Sequence, residues 1–202
     1  MTKPVILASA SPRRADLLRQ LGLCFETRPV DIDETPQPGE TPSVYVYRLA
    51  REKAVAGFEL AGEPEALVLG SDTTVVLDGR ILGKPADRDD ARVMLRALSG
   101  RTHQVMTGVA LASQGGTEVT VSTTDVAFRP LDEREIAAYC ETGEPLDKAG
   151  GYGIQGRGGA FVSSITGSYS AVVGLPLDVT ADLLARAGLP VWDYWTPDNN
   201  GD

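Results

Sequence analysis

Phosphate chemistry needs cations, hydroxyls and a way to orient water, and this chain carries such residues in three short runs. The first is Ser9-Ala10-Ser11-Pro12-Arg13-Arg14. Val5-Ile6-Leu7-Ala8 before it is a short apolar run of the kind that forms a buried strand. Ser11 fits an N-cap and Pro12 the first helical position, where its missing N–H costs nothing. Leu17, Leu18 and Leu21 follow at helical spacing, and Gly22 stands where a C-terminal cap is expected. Two arginines in a helix's first turn oppose the partial positive charge of its free N–H groups. Guanidiniums, free N–H groups and two hydroxyls together suit a polyanion such as phosphate. A solvated turn is the commonplace use of Ser-Pro-Arg-Arg, and it is the rest of the chain that favours the anion.

The second run is acidic. Asp31-Ile32-Asp33-Glu34 places three carboxylates within four residues, ahead of the proline-rich loop Thr35–Thr41. Such a cluster can simply be solvated, or it can serve a divalent cation. Another carboxylate, Asp72, directly follows the apolar run Ala66–Gly70 in Ser71-Asp72-Thr73, a position read here as a strand end. Strand ends are where α/β folds place ligands. Thr74–Leu77 continues as strand, Asp78-Gly79 reads as a hairpin turn, and Arg80-Ile81-Leu82 returns to deliver Gly83-Lys84-Pro85. Asp72 and Lys84 are therefore expected toward one end of the ribbon, as an ion pair or as a metal ligand beside a phosphate ligand.

The third run is Leu146–Gly156, with four glycines in the seven residues from Gly150 to Gly156. Lys148, Tyr152 and Gln155 interleave with them. Glycine lets backbone approach a ligand, lysine answers phosphate charge, and glutamine offers donor and acceptor to a base edge. The spacing is neither that of a P-loop nor that of a dinucleotide fingerprint.

The elements that must position these groups are legible in outline. Thr41-Pro42 opens a helix whose apolar face carries Val46, Leu49, Ala50 and Gly57, with Lys53 on that same face. Lys53 either snorkels to the surface or points into a cleft toward phosphate. A helix over Asp87–Leu98 turns Ala91, Met94, Leu95 and Leu98 inward. Strands are expected at Cys24–Val30, Thr102–Leu111, Val119–Phe128 and Phe161–Ile165, with a turn and strand over Gly167–Pro176. Asp132 with Glu135 makes a capping box, and Pro176 opens a last helix that Gly188 ends. The tail from about residue 190 has little periodicity and is expected to be disordered at its end.

Composition narrows the function class. With 202 residues, 42% of them hydrophobic, the chain can bury a sizeable core as one large domain or two lobes. Nineteen basic against 28 acidic residues, a net charge of −9, argue against a nucleic-acid-coating role. A basic cluster here is better suited to a small anion. No apolar run approaches bilayer length, no signal-peptide pattern is seen, and Cys24 and Cys140 form no metal or disulfide framework. A cytoplasmic protein without membrane or nucleic-acid partners is expected. The lone His103 excludes a multi-histidine metal site and suits a structural role, so any metal would be a hard ion held by oxygen.

In chain order, Ser9-x-Ser11-Pro12-Arg13-Arg14, Glu34, Lys53 in Arg51-Glu52-Lys53-Ala54, Gly70-x-Asp72-Thr73, Gly83-Lys84-Pro85, Ser99-Gly100 with His103, Asp147–Gly156, and Ser168-Tyr169 through Pro176 resemble the Maf family of nucleoside triphosphate pyrophosphatases. The set spans nearly the whole chain. Lys148-Ala149-Gly150-x-Tyr152-Gly153-Ile154-Gln155-Gly156 resembles the branch acting on dTTP and UTP rather than the branch acting on 7-methyl-GTP. Ser71 and Gly151 stand where the family usually has alanine.

The resemblance implies a single α+β (mixed α/β) domain over 1–202, two-lobed, with a central twisted mixed sheet and an interlobe cleft. That fold is similar to the inosine triphosphate pyrophosphatases, and a homodimer is among its expected assemblies. The implied reaction is hydrolysis of dTTP or UTP to monophosphate and pyrophosphate. Asp72 is the implied proton acceptor, with Glu34 as its catalytic partner. Glu34 and Asp72 are the expected ligands of Mg²⁺ or Mn²⁺. Ser9, Ser11, Arg13, Arg14, Lys53, Lys84 and Lys148 are expected on the phosphates, and Arg13, Thr73 and Gln155 are expected to select the base. Three alternatives stay open: an inosine or xanthosine triphosphate cleaner, a 7-methyl-GTP pyrophosphatase, and a non-catalytic nucleotide-binding regulator of septum formation.

Overall fold

Each apolar run named above becomes a strand or the inner face of a helix. The computed structural model describes residues 3–195. Among them are strands β1 (Val5–Leu7), β2 (Glu26–Thr27), β3 (Leu67–Leu77), β4 (Arg80–Leu82), β5 (Thr102–Ser113), β6 (Gly116–Phe128) and β7 (Val162–Thr166). The helices are α1 (Pro12–Arg19), α2 (Pro42–Ala61), α3 (Arg88–Leu98), α4 (Glu133–Glu141), α5 (Tyr169–Val173) and α6 (Leu177–Arg186). The strands form one mixed sheet in the order β2-β1-β3-β5-β6-β7, with β4 pairing β3. β1 runs parallel to both neighbours, Val5 opposite Leu67 and Ile6 opposite Glu26. A wholly apolar β1 is what a parallel strand covered on both faces requires.

The chain divides into two compact units. The first comprises the residues up to Asp72, Thr107–Val121 and the residues from Gly174 onward. Its core sets Ile6, Ala8, Val68, Ala110 and Ala112 against Ala50 and Ala54 of α2. Small residues let α2 lie close to the sheet. At Gly70 an added Cβ would stand 2.3 Å from the Ala50 carbonyl oxygen and 2.5 Å from the Ala54 nitrogen. The apolar stripe of α2 is Val46, Leu49, Ala50, Ala54 and Gly57, with Lys53 buried among them.

The second unit comprises Thr73–Met106 and Ser122–Val173. The β3–β4 hairpin turns at Asp78 and Gly79, both at positive φ as a two-residue turn demands. Ala91, Leu95 and Leu98 of α3 pack with Ile136, Tyr139 and Cys140 of α4 and with Val75, Val105, Val126 and Phe128. The Asp132–Glu135 capping box starts α4 as read from the sequence.

Four local expectations need correction or limits. β3 does not end at Asp72: it runs unbroken from Leu67 to Leu77, so Asp72 lies in mid-strand. Cys24–Val30 contributes only Glu26–Thr27 to the sheet. Tyr169–Val173 is helical rather than extended, because Ser168 starts a turn: its Oγ accepts from the Ala171 N–H at 3.3 Å and its carbonyl from the Val172 N–H at 3.2 Å. Past Pro190, Val191–Tyr194 forms a 3-10 turn with Val191 buried, and the Trp195 indole donates to the Leu21 carbonyl at 2.9 Å. The end of the tail, residues 196–202, lies outside the described residues. Among the described residues no helix is long and apolar enough to cross a membrane.

Candidate active site

The start of α1 is built as its sequence suggests. Ser11 caps the helix, its Oγ accepting from the Arg14 N–H at 3.5 Å, and Pro12 takes the first turn. No acid stands in that turn. Ser9 Oγ accepts from the Ser11 N–H and from Arg14 Nη1, each at 3.2 Å. Arg14 Nε donates to the Gly174 carbonyl at 2.9 Å. The same carbonyl accepts from Ser71 Oγ at 2.9 Å, a hydroxyl shared with the Gly108 carbonyl at 2.9 Å. The guanidinium of Arg14 is thus fixed from two sides. Burial lowers its pKa from the ordinary arginine value, Arg13 adds to that, and the negative charges of Asp72 and Glu34 oppose it.

Lys53 decides the next cluster. Its side chain turns inward, only 9% exposed, with Nζ 2.7 Å from Asp72 Oδ1 and 2.6 Å from Glu34 Oε1. Asp72 is equally enclosed, whereas the Glu34 side chain is half exposed at 51%. The loop bearing Glu34 is tied to α2. Tyr45 Oη donates to the Glu34 carbonyl at 2.9 Å, and Arg48 reaches both Glu40 carboxylate oxygens and the Thr35 carbonyl. Burial, reinforced by Asp72 and Glu34, pushes the Tyr45 phenol up to about 12, so Tyr45 stays a hydrogen-bond donor at neutral pH. Of the acidic run, Glu34 meets Lys53, while Asp33 accepts from the Thr35 N–H at 2.9 Å and shapes its own turn.

Two carboxylate oxygens within reach of one ammonium are hard donors converging on a cation. That donor chemistry fits Mg²⁺ or Mn²⁺, and the open side of Glu34 suits an ion that keeps waters or phosphate oxygens as further ligands.

Thr73, Lys84, Lys148 and Gln155 belong to the second unit. Thr73 is half-buried on β3. Lys84 is exposed in the turn after β4, and the neighbouring Gly83 carbonyl accepts from the Gly150 N–H at 3.0 Å, tying that turn to the glycine-rich run. Lys148 Nζ donates to the Glu144 carbonyl at 2.8 Å and to Asp147 Oδ1 at 2.6 Å. Gln155 is exposed. His103 is buried, its Nε2 2.8 Å from Tyr152 Oη and its ring edge-on to Phe128. Burial pushes its pKa down to about 4, which keeps the imidazole neutral as a member of the core.

The residues expected at the site therefore form two connected groups in the first unit, Ser9–Ser11–Arg14 and Glu34–Lys53–Asp72, linked by the field of the two acids at Arg14. Two contributors escaped the sequence reading. One is the Gly174 carbonyl, a backbone group that no residue type announces. The other is Glu144, signalled only by a Glu-Pro pair just ahead of the glycine-rich run.

A family model described as Maf-like protein matches residues 4–187 of the chain. A dTTP/UTP pyrophosphatase of Anaeromyxobacter dehalogenans is 57% identical over 198 residues, covering 96% of this chain and 99% of the relative. One from Hahella chejuensis is 52% identical over 189 residues, covering 93% and 94%. Among solved structures, a nucleoside-triphosphatase (dITP/XTP pyrophosphatase) of Mycobacterium abscessus aligns with 63% of this chain and 75% of its own, at 18% identity and a TM-score of 0.43.

Proposed function

This chain belongs to the Maf family, and from that premise we propose that it hydrolyses dTTP and UTP to the nucleoside monophosphate and pyrophosphate, a nucleotide-pool house-cleaning activity. The observation that carries the chemistry is the buried Lys53–Asp72 pair with Glu34 on its open side.

In this reading water attacks the α-phosphorus. Asp72 takes a proton from it, the bond from the α-phosphorus to the bridging oxygen breaks, and pyrophosphate leaves. Asp72 suits the task because it stands on a central strand rather than a loop, so its carboxylate is held rather than sought. The triphosphate must be neutralised as charge moves to the leaving group. Arg13, Arg14, Lys53, Lys84 and Lys148 are assigned to that, with the hydroxyls of Ser9 and Ser11 and the free N–H groups at the start of α1. Lys53 can exchange its carboxylate partners for phosphate oxygens. Glu34 and Asp72 would hold Mg²⁺ or Mn²⁺, which when bound supplies further charge neutralisation. Arg13, Thr73 and Gln155 are assigned to the base. The same reading takes the protein to be a cytoplasmic homodimer, each chain a single Maf-like domain, with no nucleic acid or membrane partner.

The test is pyrophosphate release from a panel of dTTP, UTP, ITP and 7-methyl-GTP, with Mg²⁺ or Mn²⁺ and with chelator. Metal-dependent release with monophosphate product, fastest for dTTP and UTP, is expected. Faster turnover of ITP or 7-methyl-GTP would keep the reaction and discard the base assignment. No turnover by folded protein would discard both.

A further inference from the structure

Glu144 lies outside every role assigned above, yet a whole loop is folded around its carboxylate. The side chain is only 14% exposed. Oε1 accepts from Tyr139 Oη at 2.9 Å and from the Gly158 N–H at 3.2 Å, and Oε2 from the Arg157 N–H at 3.1 Å. Tyr139 Oη in turn accepts from the Gly153 N–H at 3.1 Å. The loop is thus gripped at Gly153 on one side and at Arg157 and Gly158 on the other. Between the grips a tight turn, closed by the Gly156 N–H on the Gly153 carbonyl at 3.1 Å, carries Ile154 and Gln155. Ile154 packs on the core of the second unit, and Gln155 is left exposed. Gly156 is required by this arrangement, since an added Cβ would lie 2.3 Å from Glu144 Oε1.

The Arg157 guanidinium is 3.8 Å from the carboxylate and 74% exposed, and Lys148, whose Nζ donates to the Glu144 carbonyl, adds a second positive charge nearby. The carboxylate's hydrogen bonds come from one hydroxyl and two backbone N–H groups of the loop. A carboxylate is purely an acceptor, which suits a site where a hydroxyl and two backbone N–H groups all donate. Burial alone would raise the Glu144 pKa, but the Gly158 and Arg157 N–H groups and Tyr139 hold it below the ordinary glutamate value, so the acceptor stays ionised at neutral pH.

We propose, resting on the reading of Gln155 as a base contact, that Glu144 is a positioning residue for base recognition: its carboxylate fixes the Gly153–Gly158 turn so that the Gln155 amide meets the edge of a pyrimidine base. Glu144→Gln tests it, because an amide turns an NH₂ group toward at least one of the donors. Tyr139→Phe is the milder companion, removing only the hydroxyl between Gly153 and Glu144. Two readouts are needed: hydrogen exchange at the Arg157 and Gly158 amides, and kcat/KM for dTTP, UTP and ITP with the full-length protein and Mg²⁺.

Glu144→Gln should raise exchange at both amides and cut the preference for dTTP over ITP about tenfold, mainly through KM for dTTP. Tyr139→Phe should move both in the same direction by a smaller factor. Looser amides with the wild-type preference retained would overturn the proposal, and so would a parallel loss for all three nucleotides, which marks mere loss of stability. Either result leaves the pyrophosphatase reading intact. A wild-type protein with no preference for dTTP or UTP would overturn the Gln155 reading itself and the proposal with it.

Discussion

Lys53 on α2 and Asp72 on β3 meet at 2.7 Å with both side chains about nine-tenths buried, so one ion pair joins a helix face to the middle of the central sheet. Neither charge is affordable there alone. The pair also places an ammonium against the carboxylate proposed to accept a proton, and Glu34 reaches the same ammonium from the solvent side at 2.6 Å.

Asp72→Asn should still fold, at some cost in stability, because Lys53 keeps Glu34 as its anion and the amide oxygen can accept from the lysine. It should lose about 10²- to 10⁴-fold in kcat, the usual weight of one general base. Initial rates of pyrophosphate release beside a thermal melt check this. A well-folded variant keeping a tenth of wild-type turnover would remove Asp72 as proton acceptor.

Lys53→Met leaves Asp72 enclosed without its principal cation. A loss of about 3 kcal/mol of stability is expected, and adding Asp72→Asn should restore part of it. Urea unfolding of the two single variants and the double variant gives the coupling. Strict additivity would show that the pair carries no such burden.

Gln155→Leu removes an exposed amide and should leave the melting temperature unchanged while reducing the preference for dTTP over ITP about tenfold. The ratio of kcat/KM values is the measurement. An unchanged ratio would take base selection away from this residue.

Gly70→Ala should be among the most damaging small changes in the chain. The added methyl meets the backbone of α2 at Ala50 and Ala54, which cannot retreat without lifting the helix that carries Lys53. About 3 kcal/mol of destabilisation is expected, with activity lost alongside it. A melt within a few degrees of wild type would show that α2 can shift.

Stability should also respond to His103. Its folded pKa of about 4 lies below the unfolded value of about 6.5. Below pH 6.5 the unfolded chain binds a proton that the folded protein refuses. Stability therefore falls as pH drops from about 6.5 and the loss levels off below about 4, at roughly 3 kcal/mol in full. Glu135, held down to about 2 mainly by Arg129, adds its own loss at lower pH. Comparing urea midpoints of wild type and His103→Gln at pH 7 and pH 4.5 isolates the histidine. Equal pH slopes would refute its assignment.

Much of the local fold was legible because its parts depend on near neighbours. The Ser11 cap with Pro12, the Asp78-Gly79 turn and the Asp132–Glu135 box each depend on residues within about one turn of chain, and all three form as read. The ordered motifs from Ser9 to Pro176 carried the family by residue type and sequence order alone, which folding does not alter. Local pattern misled where context outweighed it. Ser71-Asp72 looks like the end of an apolar strand, yet β3 continues because the buried Ser71 hydroxyl finds carbonyl partners at Gly108 and Gly174. Val172-Val173 favours a strand, yet the Ser168 cap starts a helix there.

By itself, then, the sequence determined the caps, the turns, the apolar faces and the inventory of cations, acids and hydroxyls, because each rests on near neighbours or on residue type. Only the tertiary structure decided that Lys53 points inward, that it bridges Asp72 nineteen residues away and Glu34, and that the Gly174 carbonyl fixes Arg14 across 160 residues. It also decided that a glutamate outside every motif anchors the turn bearing Gln155. The reason is physical: a buried charge takes whichever partner the packing of distant segments supplies, and spacing along the chain carries no record of that choice.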